Sequence, residues 1–459
     1  MSLTLFDKLW AMHKIADVGD GYDLIAIDRL LLHERTGGVA LKSLAEKSYT
    51  VRDPSRVYAI MDHIVSFRAG RGHDESRSPN GEVFITETRA MAKAAGINLI
   101  DTDDKAQGIV HVVAPERAIA QPGFSLVCPD SHTCSLGALG ALAWGIGSSE
   151  AEHVMATRAI RAKKPAQMRV RIVGQLNEGV GAKDLALALI AKYGAGGGQR
   201  CAIEFCGPVV EALSIESRLT LCNLAVEFAA FTAIIAPDAI TRDYCSAALG
   251  GASDQLFVHW KTLFSHADSV FDYEIELDAS AIFPQISWGT SPEESIALNG
   301  AVPHDAKAQA LDYMGLEPGQ SLRGLPIDGA FIGSCTNGRL SDLKAAAKVL
   351  KGRKVAPNVR AVCVPGSQSV KREAEAIGLD KIFIQAGFEW GEPGCAMCFY
   401  AGGETFAPGA RVASSTNRNF EGRQGPGVRT HLSNPIIVAA SAVCGAIAAP
   451  SDLAVGELV

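Results

Sequence analysis

Cys335, Cys395 and Cys398 are the residues of this chain whose type and spacing speak most directly of chemistry. Cys395 and Cys398 form a Cys-x-x-Cys turn that lets two sulfurs face one metal site. Cys335 lies in Gly-Ser-Cys-Thr-Asn at 333–337. It follows the apolar run Ala330-Phe331-Ile332, which predicts a strand, and precedes Leu340, Leu343, Ala347 and Leu350, which share one face of a predicted helix. A thiol where a strand meets a helix N-terminus ionises readily, because the helix dipole favours negative charge there. Three thiolates without an evident fourth suggest a cluster with one open iron. On spacing alone, half of a zinc knuckle or a redox dithiol accounts for the Cys-x-x-Cys equally well.

A second group of candidates lies nearer the N-terminus. Val57 to Met61 runs apolar into Asp62-His63, Gly108-Ile109-Val110 runs into His111, and Phe124 to Cys128 runs towards Asp130-Ser131-His132-Thr133. Each run reads as a strand delivering an acid or a histidine at its carboxyl end, which is where open α/β sheets bind ligands. Any one of these histidines alone fits a hydrogen-bonded structural residue; three together argue for a site. Further on, Leu219 to Glu227 has helical spacing, which places Asn223 and Glu227 on one face. Such a pair fits either a site or a core pair that satisfies itself.

The elements that must position these groups alternate in type. With 459 residues the expectation is about three domains, each large enough for its own core. The chain is 47% hydrophobic and 20% charged, the composition of a globular protein, and its net charge of −7 gives no support for nonspecific nucleic-acid binding. The basic run from Arg158 to Arg171 reads as a solvated helix end. Met1 to Ile15 reads as an amphipathic helix without a secretory h-region, and the apolar run Ile436 to Pro450 is too short and alanine-rich to span a bilayer. Eleven cysteines, an odd number, point to a reducing cytoplasm. Cys128, Cys201, Cys206, Cys222, Cys245, Cys363 and Cys444 read as small core residues. The glycines at 137, 140, 145 and 147 match no nucleotide loop and are expected to allow close packing. A helix follows from Glu150 to Arg161, and the polar Ala162-Lys163-Lys164-Pro165 marks a domain boundary. The resulting division is 1–165 with the Asp-His motifs, 166–300 with Asn223 and Glu227, and 301–459 with the cysteines. The segment Ser291 to Pro326 connects into the last of these.

Gly-Ser-Cys-Thr-Asn, the Cys-x-x-Cys, and Ser-Thr-Asn-Arg-Asn-Phe-Glu-Gly-Arg at 415–423 resemble, in order and spacing, the cluster-binding half of the aconitase superfamily. The likeness extends from Asp62-His63 to Arg423 and is nearest to the two-subunit isopropylmalate dehydratases. It implies an α/β fold with three α/β/α-type domains around a central cluster cleft, lacking the swivelling domain. By the same likeness Cys335, Cys395 and Cys398 hold one 4Fe-4S cluster per chain, with the fourth iron left for substrate. Asp62, His63, His111, Asp130 and His132 form the acid and hydrogen-bonding network around the leaving hydroxyl, with Glu227 beside them. Asn223, Asn417, Arg418 and Arg423 contact the substrate, a small dicarboxylate, for which guanidinium's bidentate donors suit.

The implied activity is a hydro-lyase isomerisation of a malate-type substrate, by loss and return of water, as in leucine biosynthesis. The chain ends soon after Arg423, whereas full-length aconitases add a swivelling domain that supplies a serine base. A small subunit resembling that domain is therefore the expected partner, in a cytoplasmic heterodimer. Pro129 stands where the relatives usually show glycine, and Cys134 and Leu136 replace a small residue and a histidine. A related hydratase of citramalate, citraconate or dimethylmalate thus stays open. So do an apo-form RNA-binding regulator and a zinc or dithiol module, though neither of these accounts for the Asp-His motifs.

Overall fold

The computed structural model describes residues 2–453. Contacts divide the chain into two compact units, and the backbone passes between them repeatedly. One comprises Met1–Asp62, Glu82–Gln175 and Gly196–Ala279; the other comprises His63–Gly81, Leu176–Ala195 and Ser280–Val459. The three principal sheets lie within 1–165, 166–300 and 301–459 respectively, but the compact units do not follow those sequence boundaries.

In the first unit, five parallel strands are ordered Asn98–Ile100, Val57–Ile60, Arg29–His33, Ser125–Cys128 and Leu142–Gly145. From Arg29–His33 the chain builds outward first on one side and then on the other. The strand order therefore reverses between Arg29–His33 and Ser125–Cys128, the position at which side chains beyond the carboxyl ends are free to meet a ligand. Glu34, Asp62 and Asp130 follow the ends of three of these strands. A second parallel sheet joins Thr232–Ile234, Ala202–Cys206, Gln167–Val173 and Tyr273–Asp278. A small antiparallel sheet pairs Lys14–Asp17, Tyr22–Ala26 and Ala159–Lys163.

The buried 3-10 segment Ser131–Leu139 packs on the helix Ile215–Leu224 and beneath the strand Thr232–Ile234. Gly137 permits that approach, because a Cβ there would stand 1.7 Å from the carbonyl oxygen of Ala233. This is the close packing expected of the glycines.

The second unit repeats the plan. Its five parallel strands are ordered Phe388–Trp390, Arg360–Cys363, Gly329–Ile332, Arg411–Ser414 and Arg429–Leu432. The reversal falls between Gly329–Ile332 and Arg411–Ser414. Cys335 follows the first of these strands and Asn417 the second. The helix Leu340–Leu350 buries Leu343, Ala347 and Leu350 as its pattern requires and packs against Pro435–Cys444, which also covers the sheet. Beneath the cluster motifs, Phe67, Phe331, Val362, Met397 and Phe406 form one apolar core.

Four expectations change. Val110–Glu116 is a helix and not the end of a strand. The Asp62 carboxylate accepts a hydrogen bond from the Val110 N–H at 2.8 Å, satisfying one of the orphan donors of the helix start, which outweighs the β preference of Ile and Val. The helix read to Arg161 ends at Thr157, where Arg158 takes a left-handed conformation and turns the chain into the strand Ala159–Lys163. The basic run is thus two strands, with Arg169 and Arg171 paired to Glu274 and Glu276 at 2.6 and 3.4 Å. Cys444 is exposed at the end of its helix and Cys206 is half-buried, so neither is a core residue. Among the described residues no helix is long and apolar enough to cross a membrane.

Candidate functional site

The carboxyl ends of the first unit's sheet carry a connected polar group. Asp130 caps the 3-10 segment through a 2.7 Å bond from the His132 N–H to Oδ1, and the His132 ring turns so that Nδ1 lies 3.5 Å from that same oxygen. On its other side, His132 Nε2 is 3.0 Å from Glu227 Oε1. The imidazole is therefore held between two carboxylates, one at each ring nitrogen. His111 Nε2 lies 3.3 Å from Thr133 Oγ1. Asn223 Nδ2 donates to Ser135 Oγ at 2.8 Å. Asn223 lies in the last turn of the helix Ile215–Leu224, Glu227 lies on the following 3-10 turn, and both face the Ser131–Leu139 segment.

Asp62, fully buried, accepts from the Val110 N–H and gives its own N–H to Glu34 Oε2 at 3.0 Å. Glu34 was not singled out from sequence, although Leu30-Leu31-Leu32-His33-Glu34 has the same form as the runs that were: apolar residues ending in a histidine and an acid. Of the residues that depart from the relatives' pattern, Cys134 and Leu136 are buried in the scaffold, while Pro129 is half-buried and lines the neighbouring cavity. Pro129 gives its carbonyl to His33 Nε2 at 3.1 Å, Cys134 rests its thiol on the Cys222 carbonyl at 3.2 Å, and Leu136 is fully buried. An open cavity of about 480 Å³ lies beside this group, lined by Asp130, Ser131, Glu150 and Arg200 among others.

In the second unit the cysteine motifs come together. Cys335, Cys395 and Cys398 are all buried and none is in a disulfide. Ser334 Oγ is 3.8 Å from the Cys335 sulfur and 3.3 Å from that of Cys398. The Asn417 side-chain amide likewise spans both, with Nδ2 at 3.5 Å from Cys335 Sγ and Oδ1 at 3.7 Å from Cys398 Sγ. The Cys398 N–H bonds back to the Cys395 carbonyl at 3.0 Å, closing the Cys-x-x-Cys turn. Ser334 (φ +76°) and Ala396 (φ +48°) hold left-handed backbone immediately beside Cys335 and Cys395. For residues with a Cβ this strain costs on the order of 1 kcal/mol each, and it is the kind retained at ligand-binding turns. Short polar side chains and backbone groups around sulfurs are what an iron-sulfur cluster needs to stabilise its thiolate ligands.

The loop after Asn417 is fastened to the same turn. The Tyr400 N–H donates to the Arg423 carbonyl at 2.7 Å, Gln424 Nε2 donates to the Met397 carbonyl at 2.7 Å, and Asn419 Nδ2 donates to the Gly289 carbonyl at 2.6 Å. Arg423 is thereby set between the rings of Phe399 and Phe420, each 5.4 Å from its guanidinium carbon, with Nη2 3.6 Å from Cys398 Sγ. Its Nε is buried and makes no hydrogen bond among the described residues. A half-buried guanidinium with a buried, unused donor is a ready site for an anionic ligand. Arg418 is half-buried in the same loop. His63 is half-buried too, its ring edge-on to Phe399 at 5.9 Å.

The sequence matches the Aconitase family (aconitate hydratase) from residue 7 to residue 445. The chain belongs to the aconitase family. Over 97% of its own length and 96% of the relative's, it is 50% identical to a curated protein of Bradyrhizobium diazoefficiens named 3-isopropylmalate dehydratase large subunit 1. Among solved structures it is similar to the holo-form of Thermococcus kodakaraensis aconitase X, with 14% identity, 86% of this chain and 84% of the other covered, and a TM-score of 0.46. Aconitase-family membership implies an iron-sulfur cluster. The three buried thiols, with Ser334 and Asn417 spanning Cys335 and Cys398, the Cys-x-x-Cys turn closed at Cys395, and Arg423 beside Cys398, form a donor set that fits one.

Proposed function

We propose that this chain is the large subunit of an iron-sulfur hydro-lyase that interconverts 2-isopropylmalate and 3-isopropylmalate by dehydration and rehydration. The observation that carries the reading is the 50% identity across nearly the whole chain to a large subunit of that dehydratase. The packing roles of Cys134 and Leu136 support it further, since these replacements lie buried in the scaffold and give no reason to prefer a differently substituted malate.

Cys335, Cys395 and Cys398 would hold one 4Fe-4S cluster per chain. When bound, such a cluster supplies a Lewis acid that makes hydroxide a better leaving group. The remaining work falls to side chains. His132, held by Asp130 and Glu227 with one carboxylate at each ring nitrogen, belongs to the acid and hydrogen-bonding network around the departing hydroxyl. His111, Asp62 and His63 complete the network of donors and acceptors around that oxygen. Arg423 offers its unused Nε–H and Nη donors to a substrate carboxylate, with Arg418, Asn417 and Asn223 as further contacts. A buried carboxylate is costly without such a partner.

The proton alpha to the carboxylate needs a base, and a small subunit resembling the swivelling domain is proposed to supply it, in a heterodimer in the reducing cytoplasm. The test is an anaerobic assay of the iron-loaded chain with that partner against a panel of substituted malates. Interconversion of the isopropylmalates with the highest kcat/KM is expected; a higher value for citramalate or dimethylmalate would reassign the substrate.

A further inference from the structure

The cluster motifs account for the thiols but not for the cation buried behind them. Lys183 lies at the start of the helix Ala182–Tyr193 and is 1% exposed. A buried ammonium is expensive unless its charge and donors are met. Among the described residues, Lys183 makes one hydrogen bond, from Nζ to the carbonyl of Thr416 at 2.5 Å, and no ion pair. Thr416 immediately precedes Asn417, whose amide spans the Cys335 and Cys398 sulfurs.

Four groups act electrostatically on this ammonium: Asp184, Asp342, Cys398 and Cys335. Both acids are held by other donors. Asp184 accepts from the Gln285 and Gly181 N–H groups at 2.7 and 2.8 Å and from Asn434 Nδ2 at 2.8 Å. Asp342 accepts from Asn337 Nδ2 at 2.9 Å and the Arg339 N–H at 3.0 Å. The two acids supply the larger part of the attraction, and the two cysteines add to it, becoming fully anionic only when they ligate metal. With the cysteines as free thiols, burial pulls the ammonium down to about 7, against the attraction of those four groups.

We propose that Lys183 is a positioning residue that fixes the Thr416 carbonyl and serves as the buried counter-cation of the cluster's thiolate cage. The inference rests on the cluster reading of Cys335 and Cys398. Its positive charge stabilises the more negative, reduced form of the cluster, so removing the charge lowers the reduction potential.

The test uses the full chain, reconstituted anaerobically, as wild type, Lys183→Gln, Lys183→Met and Lys183→Arg. Iron and sulfide content, apo-chain melting and the cluster midpoint potential from a spectroscopic redox titration are measured for each. Glutamine keeps a donor for Thr416 but no charge, and arginine keeps the charge. The expected result is a more negative midpoint in Gln and Met, with Arg near wild type; a folded Gln variant that fails to assemble the cluster where Arg succeeds supports the same role. Unchanged midpoints in Gln and Met would overturn it. So would loss of the cluster from Gln and Arg alike, or failure of all three variants to fold, either of which assigns the lysine to the scaffold. A wild-type chain that assembles no cluster would instead overturn the underlying cluster reading.

Discussion

His132 Nε2 stands 3.0 Å from Glu227 Oε1, while the same ring's Nδ1 stands 3.5 Å from Asp130 Oδ1. One residue of the pair follows a strand of the parallel sheet and the other follows a helix far along the chain, and the buried 3-10 segment between Ser131 and Leu139 brings them together. A histidine flanked in this way depends on its carboxylates for orientation. Glu227→Gln keeps the shape and removes the charge, so it is expected to lower kcat by roughly 10²-fold or more while iron content stays at the wild-type level. Steady-state kinetics with parallel iron assays check this; an unchanged kcat would remove Glu227 from the proton path.

Arg423 tests the carboxylate site separately from the thiols. Lysine at this position keeps a positive charge but loses the planar fork and the Nε donor, which forms no hydrogen bond among the described residues. With a charge-assisted hydrogen bond worth about 1.5–3 kcal/mol, Arg423→Lys is expected to raise KM by roughly ten- to a hundredfold. The cluster absorbance should be unaffected. Titration of substrate against the reconstituted variant reads the effect, and a wild-type KM would place the carboxylate elsewhere.

The residues that proved legible in the sequence share one feature: a short apolar run ending abruptly in a polar, chemistry-bearing residue. Asp62, Asp130 and Cys335 all stand at or just beyond the carboxyl ends of parallel strands, where that pattern puts them. His111 obeyed the pattern for a different reason, because its run begins a helix capped by the Asp62 carboxylate, a contact between residues distant in the chain. Local spacing does not register such a contact. Lys183 was invisible because Ala-Lys-Asp at a helix start looks like any solvated first turn, and only the packing of the helix shows the lysine to be buried. The two compact units were illegible for a related reason. Residues 63–81 and 176–195 belong with the cysteine half through tertiary contacts that leave no mark in composition.

Glu204 predicts a pH dependence of stability unrelated to the site. It lies on the buried strand Ala202–Cys206, where burial raises its carboxyl to about 7 despite the Ser265 hydroxyl donating to it at 2.5 Å. Between the ordinary value of 4.5 and about 7, the folded chain binds more protons here than the unfolded chain. Stability from this group is therefore fully present below pH 4.5 and is lost as pH rises through 7, by at most roughly 3 kcal/mol. Glu204→Gln should melt higher than wild type at pH 8 and lose that advantage at pH 5. Melting curves at the two pH values decide it, and an equal effect at both would place the proton elsewhere.

The proposed partner predicts a dependence on a second polypeptide. The iron-loaded chain alone should show less than about a hundredth of the turnover of the reconstituted pair, because general acid and base steps each contribute 10²–10⁴-fold and the base is assigned to the small subunit. Anaerobic assay of the isolated chain measures this. Full turnover without a second protein would return the base to this chain.

The central claim is that Cys335, Cys395 and Cys398 together hold the cluster on which the chemistry depends. Anaerobic reconstitution followed by iron and sulfide determination tests it most directly, across wild type and the variants Cys335→Ser, Cys395→Ser, Cys398→Ser and Cys363→Ser. Thiolate is the usual ligand of such clusters, and Cys363 is buried on a sheet strand where burial raises its thiol well above its ordinary range. The expected result is iron and sulfide in wild type and in Cys363→Ser, with a marked loss in each of the other three. Full iron and sulfide in all three site variants would contradict the assignment.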